Sequence, residues 1–428
     1  MSGQTGGRQK MTEKISVIKW MFSRYFVFIL CALAFSGWHM LPATAQVPGF
    51  DGGGSEVREA IGGTEGGGIR DLFGKDRPTA RVDNVRDLDD FKIVDEDSFL
   101  KYTAEIHEVP YGDTSLSYRL RLPRTWTKVT QYAEHGITVQ QRLMSHITTF
   151  VAPPFASVVP SVTIQAMELQ HEIDARHWLK NYLLLNGFTV TGEVRGDDLR
   201  QANADFVYVR DESAYAGYAR AIFHGNMVTL VRFDVPQRFV RHYEFLQKRA
   251  VDSLTMVFPK SGAIEEWRRD NLLGEVLEMQ YPMSWPRKRA RYNEDGLKVS
   301  FELHNEAILE GKVDGLIWLS VIRRTSEMDL KSELEVFRRE FERRYGFQIN
   351  EIISSEPSYG PLEFDYIREE HYKVGPDRHT SSQELRFLVM ADSKWYIFIY
   401  MLSPPEQTDY YNWARNLRAF EIIKDSML

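Results

Sequence analysis

The chain has 428 residues, 43% of them hydrophobic and 26% charged, a globular composition with room for two or three cores. Its formal net charge of −7 argues against nucleic acid as a partner, because phosphate binding needs a basic face. The only cysteine, Cys31, lies near the N-terminus, so the rest of the chain has neither a disulfide framework nor a thiol nucleophile.

Arg8, Lys10, Lys14, Lys19 and Arg24 precede the apolar run Tyr25–Phe35, and a small-x-small site follows at Ala43-Thr44-Ala45. This is the pattern of a secretory signal peptide over residues 1–45, cleaved between Ala45 and Gln46. An uncleaved anchor is the alternative and would be the protein's one membrane contact. It is disfavoured because Ser36, Gly37 and His39 dilute a stretch that needs about 20 apolar residues to span a bilayer. An exported, cysteine-free product suits a bacterial periplasm.

Residues 46–100 read as a flexible, acidic, glycine-rich tether. Ten glycines fall between Gly49 and Gly74, and 13 acidic residues outnumber 7 basic ones. Its last part, from Asp76 to Leu100, gains Val82, Val85, Leu88, Phe91 and Ile93. That is enough for a docking segment, although disorder in isolation is the preferred reading.

A first globular unit is expected over residues 101–259. Its order is strand Leu116–Leu122, a Pro-Arg-Thr-Trp corner, strands Ile137–Leu143 and Ser161–Met167, and a helix Ile173–Asn186 closed by Gly187. Strands Phe206–Arg210, Tyr215–Phe223 and Met227–Phe233 follow. The unit ends on a helix whose Phe239, Tyr243, Leu246, Ala250 and Leu254 form one stripe. Residues 260–274 read as a linker, with Ile264–Asn271 as a short bridging helix.

The second unit, residues 275–428, repeats that order. Strands are expected at Glu275–Tyr281, Lys298–His304, Leu316–Ile322, Phe364–His371, Glu384–Met390 and Trp395–Tyr400, and helices at Leu330–Tyr345 and about Glu406–Phe420. Gly187 and Gly346, Trp178 and Phe337, and Trp126 and Trp285 are each 159 residues apart. Beyond the polar stretch Val374–Gln383 the offset becomes 167, aligning Leu230 with Ile397 and Leu246 with Trp413. A period this long indicates tandem domains, not a solenoid. Consecutive strands with tight turns give an α+β fold: two domains, each a mainly antiparallel sheet packed with two long helices in an α/β/α sandwich.

The opening strand with its proline-x-x-tryptophan corner (Pro123 and Trp126, Pro282 and Trp285), the helix closed by Gly-Phe, the strand meander and the last helix together resemble the PsbP, Mog1 and DcrB-like family. The resemblance covers Tyr102–Phe258 and Glu275–Phe420. It implies an accessory or binding protein and supplies no catalytic residues.

No residue pattern amounts to an active site. Gly68–Lys75 superficially resembles a phosphate loop, but five residues separate its glycines and Asp76 stands where Ser or Thr would hold magnesium. The acidic run at Asp87, Asp89, Asp90, Asp95, Glu96 and Asp97 lacks the glycine and glutamate of a calcium loop and reads as solvated charge. His171 and His177 have the wrong spacing for one helix face, and His371 and His379 with Glu369 and Glu370 form only a weak metal candidate. No cofactor and no metal are expected.

The aromatics of Trp395–Tyr400 and of Tyr410, Tyr411 and Trp413 read as core on both faces of a sheet, with an exposed partner patch as the alternative. The functional expectation is a non-enzymatic periplasmic binding or scaffold protein with envelope proteins as partners, an accessory part of a secretion or other envelope assembly. The alternative is a carrier or hydrolase with a pocket within or between the domains, near Arg210, His371 or Glu369.

Overall fold

The computed structural model describes residues 89–427 apart from 130–143, 154–158, 211, 273–276, 289, 294–295, 306–313, 358–363 and 376–382. The expected leader and its Ala45–Gln46 site, the glycine-rich tether, Gly68–Lys75, the strand Ile137–Leu143 and His379 lie outside these residues.

In chain order the elements are α1 (Glu96–Tyr102), β1 (Thr103–Glu108), β2 (Tyr118–Pro123), β3 (Thr127–Val129), β4 (Ser145–Val151), β5 (Ser161–Glu168), α2 (Ala175–Leu185), β6 (Thr189–Val190), β7 (Arg195–Asp198), β8 (Gln201–Arg210), β9 (Ser213–His224), β10 (Met227–Pro236), α3 (Val240–Asp252) and β11 (Thr255–Met256). The second half follows with β12 (Trp267–Leu272), β13 (Leu277–Pro282), β14 (Arg291–Tyr292), β15 (Lys298–His304), β16 (Leu316–Arg323), α4 (Leu330–Tyr345), β17 (Gln348–Pro357), β18 (Tyr366–Gly375), β19 (Gln383–Ala391), β20 (Trp395–Ser403) and α5 (Tyr410–Met427).

Two large sheets share one antiparallel plan. The first runs β3-β4-β5-β10-β9-β8-β6, with β7 beside β8, and the second runs β14-β15-β16-β20-β19-β18-β17. Both central strands, β10 and β20, are buried along almost their whole length, as strands covered on both faces must be. The fold is therefore α+β, with sheets sandwiched between helices.

The apolar residues sort into four clusters that give the order of layers. α3 and the β1-β2-β11 sheet cover one face of the first sheet through Tyr243, Leu246, Ala250 and Leu254, while α2 covers the other through Trp178, Leu179 and Tyr182. In the second half α4 covers one face with Phe337 and Phe341, and α5 covers the other with Ala419, Phe420 and Ile423. Trp413 and Ala414 of α5 belong to the α2 cluster, so α2 and α5 together make a middle layer between the two sheets. The order is α3, first sheet, α2 with α5, second sheet, α4. Each large side chain buried in these stripes contributes about 1.5–3 kcal/mol.

Local chemistry fixes the helix ends. Asp174 and Asp329 cap α2 and α4 by accepting from the backbone N–H of Arg176 at 2.7 Å and of Ser332 at 3.0 Å. Past their C-termini the chain reverses at Gly187 (φ +74°) and Gly346 (φ +69°), a left-handed geometry open to glycine at little cost.

Three expectations are corrected. The tether does not continue to Leu100, because from Asp89 onward the chain is docked. Ile93 and Phe99 are buried in the first core, and α1 straddles the expected boundary at residues 100 and 101. The expected helix Ile264–Asn271 is instead β12, paired antiparallel with β13 from Trp267↔Pro282 to Leu272↔Leu277. Its side chains are mostly exposed, so no apolar alternation marks it, and ladder hydrogen bonds hold it in place of burial. It also occupies the place that β1 occupies in the first half, where Thr103 faces Pro123, so the second sandwich begins at Trp267 inside the expected linker.

The third correction concerns the offset. Leu230 faces the α2 cluster while Ile397 faces the α5 cluster. A one-residue shift, aligning Leu230 with Phe398, restores the match, since a slip of one residue turns a strand's side chains to the opposite face. At the last helix the register moves again. Ser253 Oγ accepts from the Arg121 N–H at 2.9 Å, and Ser426 Oγ accepts from the Gln280 N–H at 2.9 Å. Each hydroxyl also donates back one turn, to the carbonyls of Ala250 and Ile423, so Ser253 matches Ser426 and Leu246 matches Ala419 rather than Trp413. β4, with its β-branched run Ile147-Thr148-Thr149, is a sheet strand between the expected strands Ile137–Leu143 and Ser161–Met167, where no element was named.

Candidate functional site

The residues singled out in the sequence do not converge. Arg210, at the end of β8, lays its guanidinium 4.9 Å from the centre of the Tyr215 ring. His371 and Glu369 lie two apart on β18, both toward α5. His371 Nε2 meets Glu384 at 3.2 Å, and Glu384 also accepts from the Trp413 indole at 2.9 Å. Glu369 holds Arg386 at 3.1 Å and Lys424 at 3.0 Å. Burial would raise the Glu384 pKa, but the bonds from His371 and Trp413 outweigh it and leave the carboxyl below its usual range. These polar ties fasten α5 to the second sheet.

His171 and His177 lie near the seam between the halves. The imidazole of His177 shares a hydrogen bond with the Tyr410 hydroxyl at 2.7 Å, and Lys180 reaches Glu406 at 3.0 Å. Glu172 and Glu265 strengthen the seam. Glu265 accepts from the N–H groups of Glu172 and Ser284, and Glu172 accepts from the Ile264 N–H and the Trp267 indole. Tyr410, Tyr411, Trp413 and Leu417 fill this seam with apolar surface, so the aromatic crowd of the last helix serves packing.

The acidic run is not uniformly solvated either. Asp90 is buried and accepts from the Trp126 indole at 2.9 Å and the Tyr243 hydroxyl at 3.1 Å. Asp95 caps α1, and Glu96 pairs with Arg249 at 2.6 Å. Bonded in this way, these carboxylates anchor the chain at the point where it enters the first sandwich.

An open cleft of about 770 Å³ occurs elsewhere, on the α4 face of the second sheet at its β14 edge. Alternation along β15 turns Lys298, Ser300 and Glu302 to this face, and Trp318 of β16, opposite Glu302, forms its floor. The last two turns of α4 add Glu340 and Arg344 as one wall. Lys288 and β14, with Arg291 and the exposed Tyr292, form the other. Asn293 fixes the β14–β15 turn by accepting from the Lys298 N–H at 2.9 Å.

Glu302 is the electrostatic anchor of the cleft. It pairs with Arg344 and accepts from the Tyr345 hydroxyl at 2.9 Å and from His304 at 3.0 Å. Burial by itself would raise its pKa, but these bonds and the Arg344 charge prevail and hold it at about 2. Lys298 lies 3.6 Å from Glu340. Both cleft carboxylates thus have cations of their own, whereas Lys288 and Arg291 carry no ion pair among the described residues.

The sequence does hold a trace of this cleft. Arg287, Lys288, Arg289 and Arg291 put four cations into five positions directly after the second proline-tryptophan corner. A net negative charge averaged over the whole chain hides that local reversal. Arg287 itself is diverted to Asp270 at 2.9 Å.

No family model and no curated protein matches the chain. Among solved structures it is similar to the cyanobacterial PsbP (CyanoP) of Synechocystis, with 9% identity, TM-score 0.28, and coverage of 36% of this chain and 92% of that one. It is also similar to the Ran-binding protein Mog1p of Saccharomyces cerevisiae, with 11% identity, TM-score 0.26, and coverage of 38% and 93%. A third is LpqN of Mycobacterium tuberculosis, described as involved in cell envelope biogenesis, with 12% identity, TM-score 0.26, and coverage of 37% and 94%.

Proposed function

We propose that the protein is a non-enzymatic binding or scaffold protein of the cell envelope, exported to the periplasm and built from tandem PsbP/Mog1-like domains on an acidic arm. In this reading it is an accessory component of a secretion or other envelope assembly. The observation that supports it is the filled seam: Trp413 and Ala414 of α5 lie in the core of the first half beside Trp178 and Leu179. Two sandwiches sharing one helical layer hold their outer surfaces at a fixed spacing, and a scaffold needs that rigidity.

The test is cross-linking in the native envelope followed by affinity capture, comparing the full chain with one that lacks residues 46–88. Truncation at Asp89 spares the docked Asp90 and Glu96. Recovery of one defined set of envelope proteins that depends on the arm is the expected result. Recovery of no cross-linked partner with either chain would sink the scaffold reading.

The cleft favours a second reading, a periplasmic small-ligand carrier. Its volume falls in the range of small-molecule sites, about 300–1,000 Å³.

A further inference from the structure

We infer that the α4-face cleft is a binding site for a small organic dianion, a phosphomonoester or its lipid-headgroup equivalent. The inference rests on the carrier reading of the cleft and is independent of the scaffold reading.

Charge and geometry together carry it. Four cations and two carboxylates line the cleft. Arg344 is spent on Glu302 and Lys298 faces Glu340, which leaves Lys288 and Arg291 as two positive charges without an ion pair among the described residues. Two cations on one wall call for a doubly charged group. A guanidinium offers a planar pair of donors that fits two oxygens of a phosphate, and an ammonium adds a point charge beside it.

The rest of the cleft limits what lies behind the anionic head. Ala290 and Tyr292 flank Arg291, and Trp318 closes the floor, already covered by the Arg344 guanidinium 5.7 Å from its ring centre. Ser300 is held to Ser320 at 3.0 Å, so the polar floor is pre-organised. The open side admits a short organic body, and a glycerol or acyl-glycerol portion fits that description.

The experiment uses the full chain. Calorimetric titration with sn-glycerol 3-phosphate tests the free ligand, and sedimentation with phosphatidylcholine vesicles, with and without phosphatidate, tests the lipid source. Benzyl alcohol in a thermal-shift assay serves as an uncharged probe. Saturable binding of glycerol phosphate, or selective sedimentation with phosphatidate, is expected, weakening as salt rises. K288E/R291E should lower the affinity at least tenfold, whereas R269A, an exposed cation outside the cleft, should leave it unchanged.

Binding of glycerol phosphate alone assigns the free ligand, and phosphatidate alone assigns the lipid. Equal affinity in wild type and K288E/R291E overturns the inference. If only benzyl alcohol binds, and a blocking S300W removes that binding, the dianion is wrong while the carrier reading stands. If none of the probes binds, both fall.

Discussion

Asp90 and Trp126, 36 residues apart, are joined by a 2.9 Å hydrogen bond from the indole to a buried carboxylate. The Tyr243 hydroxyl donates to the same oxygen at 3.1 Å, which ties the start of the folded chain to both the proline-tryptophan corner and α3. Burial, and then the nearby Asp90 charge, push the Tyr243 phenol far above its ordinary range, so it stays a donor at any physiological pH.

Asp90→Ala leaves two buried donors without an acceptor, each costing about 1–3 kcal/mol. The expected outcome is a loss of about 2–4 kcal/mol in urea unfolding and faster proteolysis before α1. Asp90→Asn keeps one acceptor oxygen and should lose less. Wild-type stability for the alanine variant would show that the docked segment contributes nothing to the first core.

The seam offers a contrast between apolar burial and charge. Trp413→Ala removes a buried indole and its bond to Glu384, with an expected cost of about 3–5 kcal/mol. Lys180→Ala breaks an ion pair whose side chains are 39% and 36% exposed, with an expected cost below about 1 kcal/mol. Urea midpoints of the two variants check the ranking. A larger effect for Lys180 would mean that charge, not packing, joins the halves.

What the sequence reveals of this fold follows its local signals. Gly187 and Gly346 stop their helices as read, and α4 spans Leu330–Tyr345 as expected, because caps, apolar spacing and left-handed glycines act over a few residues. Less local features were hidden. β12 has almost no buried side chains, so nothing in its pattern separates it from an exposed helix. Trp413 looks like core of its own sheet, yet it packs against the other half, and which partner a helix face meets is settled only in three dimensions. The cleft was legible only as the basic run before Tyr292. Glu302, its anchor, is one of many strand glutamates until Tyr345, from α4, is folded against it.

Acid should unfold the protein in two windows. His171 and His224 titrate at about 4 because burial disfavours their charged forms, whereas in the unfolded chain they take protons near 6.5. The unfolded state therefore binds more protons as pH falls from 6.5 to 4, and stability declines across that range. Glu302 acts in the next one. With a folded pKa of about 2 against an ordinary 4.5, its contribution is complete above pH 4.5 and is lost as pH falls toward 2. That contribution is on the order of 3 kcal/mol. Glu302→Gln should lower stability at pH 7 by a similar amount and flatten the profile between pH 4.5 and 2, measured by thermal unfolding across pH. An unchanged acid limb in the variant would show that the cluster in the cleft is not coupled to folding.

The matched serines test whether the two halves are equivalent in energy as well as in plan. Ser253 and Ser426 each accept from an N–H of the opening strand and donate to the carbonyl three residues back, so either alanine substitution leaves a strand N–H without its acceptor. A cost of about 1–2 kcal/mol is expected for each. Ser253 closes α3 in an outer layer, Ser426 lies near the end of α5 in the middle layer, and the two share no partner, so the double variant should lose the sum to within about 0.5 kcal/mol. A double variant far less stable than that sum would reveal coupling through the α2–α5 layer. Agreement with the sum would make the serine bond a local fastening that the two halves use independently.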